Sequence, residues 1–333
     1  MFFACLKVRM ENFVRMKKIL SILLCTALMA ACLCGCGAAA KEEKKLSVVV
    51  TIFPEYDWVR EILGENPGDV QLTLLLDNGV DLHSFQPTAK DILTISNCDV
   101  FIYVGGESDA WVKDALSEAA NENMIVIDLL DALGDAIKEE EEVEGMEEHE
   151  HEHEAEYDEH VWLSLRNASV LCEEIEKALE SIDPANQETY RKNLASYQEK
   201  LSQLDEKYTQ AVASASGRTL LFGDRFPFRY LVDDYGLNYY AAFSGCSAET
   251  EASFDTILFL ASKTDELSLP AVLRIEGANH RIAETIVENT AEKNQEVLVL
   301  DSMQSATSKD VQNGVTYLSI MEKNLEVLKQ ALQ

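Results

Sequence analysis

The chain is short of three things, and each shortage excludes a class of protein. Cysteine is the first: of eight cysteines only Cys98, Cys172 and Cys246 lie beyond residue 36, an odd number without CxxC spacing. That pattern excludes a disulfide framework, and most of these thiols read as small core residues. Basic charge is the second, with 28 Lys and Arg against 59 Asp and Glu and a net charge of -31. Five basic residues (Lys7, Arg9, Arg15, Lys17, Lys18) and one acid (Glu11) precede Cys36, which leaves 23 basic against 58 acidic residues beyond it, a net of -35. Such a field repels nucleic acid and anionic lipid and concentrates cations, although acidity by itself commonly serves only solubility. Bilayer-spanning length is the third. The apolar run from Ile19 to Ala31 is too short to cross a membrane as a mature helix.

That run follows Met16-Lys17-Lys18, a basic n-region before an h-region, and so reads as a signal peptide. It ends in Leu33-Cys34-Gly35-Cys36, the pattern of a bacterial lipoprotein cleavage site with Cys36 acylated; Cys32, after Ala30-Ala31, is the weaker alternative. An ordinary secretory signal is the competing interpretation. Residues 1–36 are thus expected to be a lipoprotein signal and 37–45 a polar tether, with Met16 sufficient as a start.

Beyond the tether, apolar β-rich runs at 46–53, 70–76, 99–105, 124–130, 218–224, 238–243, 271–277 and 296–302 alternate with helix-length amphipathic stretches. Near-continuous Val, Ile and Leu content suits strands buried on both faces. The expected fold class is α/β, with two lobes, each a roughly four-stranded parallel sheet flanked by helices. The N-terminal lobe covers 46–183 and the C-terminal lobe 215–333. Between them, over 184–214, Tyr190, Leu194, Tyr197, Leu201, Leu204, Tyr208 and Val212 recur at intervals of three and four. Asp183 suits the N-cap and Pro184 the first turn of this helix. At 1.5 Å per residue it runs about 45 Å, a rigid linking spine. A coiled-coil dimer seam competes, but about three heptads is the minimum for one.

The segment 138–160 holds thirteen acidic residues and four histidines, so it is expected to be a mobile loop inserted after the fourth strand. Its His149-Glu150-His151-Glu152-His153 formally matches HExxH, but that motif needs a helix with an apolar face and here the neighbours are nearly all glutamate. His149, His151 and His153 are either a solvated charged loop or a weak collector that feeds metal to the fold.

Ligands of open α/β sheets bind beyond the carboxyl ends of the strands. Four metal-ligand candidates fall there: His83 after the second strand, His160 where the acidic loop rejoins, Asp224 at the end of the fifth strand and Asp301 at the end of the eighth. Two imidazoles and two carboxylates suit zinc or manganese and not copper(I), which wants thiolate or thioether. Considered singly, His83 could be a surface-loop histidine, and Asp224 and Asp301 could be helix caps.

Three stretches carry a resemblance. They are Gly79-Val80-Asp81-Leu82-His83-Ser84-Phe85-Gln86-Pro87, then Tyr103-Val104-Gly105-Gly106 leading to Trp111-Val112, then Tyr157-Asp158-Glu159-His160-Val161-Trp162-Leu163-Ser164. Together they resemble the metal-specific solute-binding proteins of bacterial ABC importers, the zinc and manganese receptor family. The likeness runs over nearly all the chain after the tether and includes the spine and the acidic histidine-rich loop typical of zinc members. It implies that His83 and His160 are the first two ligands and that Asp301, in Asp301-Ser302, is the last. Zinc members usually place a third histidine ahead of an aromatic and a Tyr-Gly-Leu. Here Asp224 fills that slot, in Phe222-Gly223-Asp224-Arg225-Phe226 ahead of Tyr235-Gly236-Leu237; manganese members carry glutamate there. Glu276, at the end of the seventh strand, is a reserve ligand or a capping carboxylate.

The expectation is therefore a monomeric, exported, lipid-anchored receptor. It captures a divalent metal, Zn2+ or alternatively Mn2+, in an inter-lobe cleft and delivers it to an ABC permease. A zinc-dependent hydrolase is the alternative of a different class, but no positioned general base or oxyanion donor can be named for it. A surface adhesin is the third.

Overall fold

Where apolar β-branched, leucine and aromatic residues run together the chain forms short strands, all eight at the expected places. The computed structural model describes residues 16–17, 45–64, 70–146, 157–247, 251–277 and 281–333. Cys32, Cys36, His149, His151 and His153 lie outside them. The strands are β1 (Leu46–Val50), β2 (Val70–Leu74), β3 (Val100–Tyr103), β4 (Ile125–Asp128), β5 (Thr219–Phe226), β6 (Asn238–Ser244), β7 (Ala271–Arg274) and β8 (Glu296–Val299). They build two four-stranded sheets of order β2-β1-β3-β4 and β6-β5-β7-β8, with every pair parallel. Contacts divide the chain after residue 45: Met1–Lys45 is one unit and Leu46–Gln333 the other. No helix among the described residues is long and apolar enough to cross a membrane.

Side-chain alternation along the central strands explains why Leu46–Gln333 holds together. Val48 and Val50 of β1 and Leu220 and Phe222 of β5 point into one core shared by both sheets, whereas Val49 and Leu221 face separate outer clusters. The shared core is centred on the helix Gln187–Ser214, whose Tyr190, Leu194, Tyr197, Leu201, Leu204, Tyr208 and Val212 are all buried. This stripe packs on the helices Leu165–Ile182, Phe53–Leu63 and Tyr317–Ala331 of the same chain, so it is consumed internally and not left as a dimer seam. Pro184–Asn186 forms a 3-10 turn ahead of the helix proper. Asp183 does not cap a backbone N–H there; its Oδ2 instead accepts from Tyr190 Oη at 2.6 Å and Asn186 Nδ2 at 2.7 Å.

Polar ties join the two sheets as well. Trp162 Nε1 donates to Ser302 O at 2.9 Å, Tyr317 N to Asp57 at 2.8 Å, and Ser164 Oγ to Asp234 at 2.6 Å. A shared core plus such ties resists a wide hinge motion.

The described arms of the acidic segment are more ordered than a mobile loop. Glu139 pairs with Tyr157 in an antiparallel bridge, and Lys138 N donates to Tyr230 Oη at 3.1 Å. Met146 is buried, with Val143 packed against the same core. Composition hid this because two apolar anchors and a few backbone hydrogen bonds suffice to dock an acidic arm.

Candidate metal centre

His83 sits on a 3-10 turn, Leu82–Ser84, in the connection after β2. Buried Leu82 plugs the turn into the core, and the Asp81 carboxylate accepts from His83 N at 3.0 Å. His160 ends the acidic segment immediately before the turn Val161–Leu163, whose three side chains are all buried. Asp158 holds it twice, accepting from His160 N at 2.9 Å and facing His160 Nδ1 at 3.1 Å.

The two rings meet with Nε2 to Nε2 at 3.1 Å. In a tetrahedral zinc site with Zn–N bonds of about 2.0–2.1 Å, two ligand nitrogens stand about 3.3 Å apart. Each Nδ1 is engaged elsewhere, His83 with Ser108 Oγ at 2.7 Å and His160 with Asp158. That outer engagement is how ligating histidines are held with the opposite nitrogen facing a cation. Ser108 is itself placed by Glu159 Oε1, which accepts from Ser108 N at 2.9 Å. Gly106 makes room for this: its φ is +78° and a Cβ there would stand 2.4 Å from Glu159 Oε1. The Phe85 ring packs edge-on against Trp111, with centroids 5.8 Å apart, which backs the His83 loop with the other motif aromatic.

Burial, then the neighbouring His160, push the His83 ring down to about 3. Burial pulls His160 the same way, but the Asp158 carboxylate, with Glu159 and Asp81 further off, outweighs it and raises that ring. His83 is therefore the ring held uncharged, and the two rings titrate as a coupled pair.

The second-lobe carboxylates are used differently. Strand β5 runs on to Phe226, so Asp224 lies inside the strand, at a register shift between Phe222 and Arg225, and not beyond its end. Its Oδ1 accepts from Arg225 N at 2.9 Å and its Oδ2 from Ile275 N at 3.2 Å. Asp301 Oδ1 accepts from Met303 N at 2.8 Å, and burial, then Glu276, push that carboxyl up to about 6. Glu276 anchors the following loop: it accepts from Ser302 N at 2.7 Å, Ser302 Oγ at 2.9 Å, Gln304 N at 2.9 Å and Ser305 N at 3.3 Å.

The structure brings His83 and His160 together and adds a residue the sequence reading passed over. Among the described residues the potential ligand atoms of His83, His160 and Cys246 all lie within 4.8 Å of one another, and neither Asp224, Asp301 nor Glu276 belongs to that group. Cys246 follows β6, a strand end with no histidine or carboxylate among the candidates. Its signal was its place, a cysteine just past the carboxyl end of a parallel strand. Burial, then Asp158, Glu140 and Glu159, push its thiol well up. Arg225 also enters the cleft, where it pairs with Asp81; burial raises the Asp81 carboxyl but the guanidinium outweighs that and lowers it.

Residues 48–331 match the family described as ZnuA, zinc-uptake complex component A, periplasmic. The chain belongs to the ZnuA family. Among ZnuA relatives, it is 32% identical over 319 residues to the zinc-binding lipoprotein AdcA of Streptococcus pneumoniae TIGR4, which covers 95% of this chain and 61% of AdcA. It thus spans about six-tenths of the length of that relative. With the high-affinity zinc uptake system protein ZnuA of Bacillus subtilis it shares 29% identity over 310 residues, covering 92% of this chain and 95% of the other. Among solved structures, the Zn(II)-bound ZnuA-like domain of S. pneumoniae AdcA aligns with a TM-score of 0.68 and 30% identity, over 86% of this chain and 99% of that domain.

Proposed function

We propose that this ZnuA-family protein captures a divalent transition metal, zinc in the first instance, outside the cytoplasm and hands it to an ABC permease. The observation that carries this is the His83–His160 pair. Two imidazole Nε2 atoms face each other at 3.1 Å, each ring fixed through its Nδ1, in a family named for zinc uptake. Such an arrangement costs the protein little rearrangement when the ion arrives, because the rings are already oriented. The lobes share a core, so capture works by local loop movement and not by wide closure. The hydrolase alternative has no support in this site: the family is a transport component, and the carboxylates beside the ring pair, Asp158 and Glu159, are engaged with His160 and Ser108.

Anchoring belongs to the same proposal. Cys36 in Leu33-Cys34-Gly35-Cys36 and the lipoprotein name of the pneumococcal relative support acylation there, with Cys32 as the alternative. The protein would then work as a tethered monomer on the outer face of the cytoplasmic membrane.

The test is a competitive titration of the chelator-stripped protein, lacking residues 1–36, with zinc and manganese against a chromophoric chelator. One tight zinc site is expected, and His160→Ala is expected to weaken it by on the order of a thousandfold or more, since a ligand is lost. Unchanged affinity in His160→Ala would overturn the assignment.

A further inference from the structure

We infer that Cys246 is the third protein ligand of the captured metal, taking the place that Asp224 leaves open, so that the centre is a His2Cys site selective for zinc over manganese. This rests on the metal-capture reading above and specifies its ligand set. Three independent observations carry it.

The first is position. Sγ of Cys246 lies within 4.8 Å of the ligand nitrogens of both His83 and His160, and His160 is fully buried. A tetrahedral zinc with Zn–S of about 2.3 Å and Zn–N of about 2.0–2.1 Å needs sulfur and nitrogen about 3.5 Å apart, a closing movement of at most about 1.3 Å.

The second is support around the thiol. Cys246 N donates to Glu140 Oε1 at 2.9 Å. Arg225, ion-paired to Asp81 beside His83, donates through Nη1 to Ser247 O at 3.3 Å. The turn that carries the thiol is therefore fastened on both sides, to the acidic arm and to the His83 loop. At Gly245 a Cβ would stand 2.8 Å from Phe226 O and 3.2 Å from His160 Cε1 and Nδ1. Glycine is what lets the chain descend against the His160 ring and deliver the next side chain to it.

The third is the occupation of the alternative. Both oxygens of Asp224 accept backbone N–H groups, from Arg225 and Ile275, which is a structural use of a carboxylate inside a strand. On binding, the Cys246 thiol releases its proton to bulk water as the metal–sulfur bond forms. Thiolate is a soft donor, which favours zinc strongly over manganese, a metal suited to carboxylate, carbonyl and water.

Cobalt(II) is the probe, because it adopts zinc-like tetrahedral geometry and reports sulfur ligation by an intense thiolate-to-cobalt absorption in the near ultraviolet. The stripped protein lacking residues 1–36 is expected to show that band on binding one equivalent. Cys246→Ser is expected to bind cobalt through the histidines without the band, and to narrow the preference for zinc over manganese by at least about tenfold. Cys246→His, which supplies a donor nitrogen, is expected to regain zinc affinity, still without the band. Tight cobalt binding that is lost in His160→Ala but never shows the band overturns the Cys246 assignment and leaves metal capture standing. Cobalt uptake that is the same in His160→Ala and the parent overturns both.

Discussion

The two sides of the cleft spend their polar groups in opposite ways. On the first-lobe side, His83 and His160 each have one nitrogen fixed by a neighbour, and both Nε2 atoms converge. On the second-lobe side, both oxygens of Asp224 and of Glu276 and one oxygen of Asp301 accept backbone N–H groups of their own or neighbouring strand-end segments. A carboxylate after a strand is thus not evidence of a ligand until its hydrogen bonds have been counted. The first lobe supplies a preformed pair; the second supplies loop architecture, Arg225 and the turn bearing Cys246.

The sharpest way to break this comparison is at Asp158. If the first-lobe rings act because they are held, Asp158→Asn should lower zinc affinity by about 10–100-fold, the usual effect of disturbing a group that orients a ligating histidine. The titration used for His160→Ala measures it, and an unchanged constant would mean that the orientation of His160 does not depend on that contact. Next comes Glu276→Gln. Glu276 accepts four hydrogen bonds through two oxygens, and an amide must turn a donor toward either Ser302 N or the group of Ser302 Oγ, Gln304 N and Ser305 N. The metal-free protein should lose about 1–3 kcal/mol of stability in urea unfolding, because a buried donor is left unsatisfied. A stability loss below about 0.5 kcal/mol would show that Glu276 is not the loop's anchor. The smallest effect on binding is expected at Asp224. Asp224→Asn keeps one of two acceptors, so it should cost about 1 kcal/mol of stability and change zinc affinity by no more than about threefold. A loss comparable to that of His160→Ala would return Asp224 to the ligand set and erase the contrast between the two sides.

Much of this molecule was legible in one dimension. The eight strands were marked by largely apolar runs, of Val, Ile and Leu in most and of Tyr, Ala and Phe in β6, because strands covered by helices are mainly apolar, and the spine was marked by a three-and-four periodicity that only a helix turns into a stripe. His83 and His160 stood out for the same kind of reason, each embedded in a local motif that builds its own turn: Asp81 before His83, and Asp158 before His160. Where the decisive contact is local in sequence, the sequence carries it.

What the sequence left open was set by contacts between distant residues. Whether Asp224 faces the cleft depends on Ile275 N, fifty-one residues away, and on a register shift in β5 that composition does not encode. Whether the acidic segment is loose depends on Tyr230 and on the pocket that takes Met146. Cys246 has no motif, and its meaning comes from Gly245 allowing close approach to a ring encoded eighty-six residues earlier. The sequence determined two lobes, a rigid spine and a histidine pair, since those follow from periodicity and short-range turns. Only the tertiary structure decided which second-lobe side chain meets that pair, because a side chain's availability depends on the partners that folding brings to it.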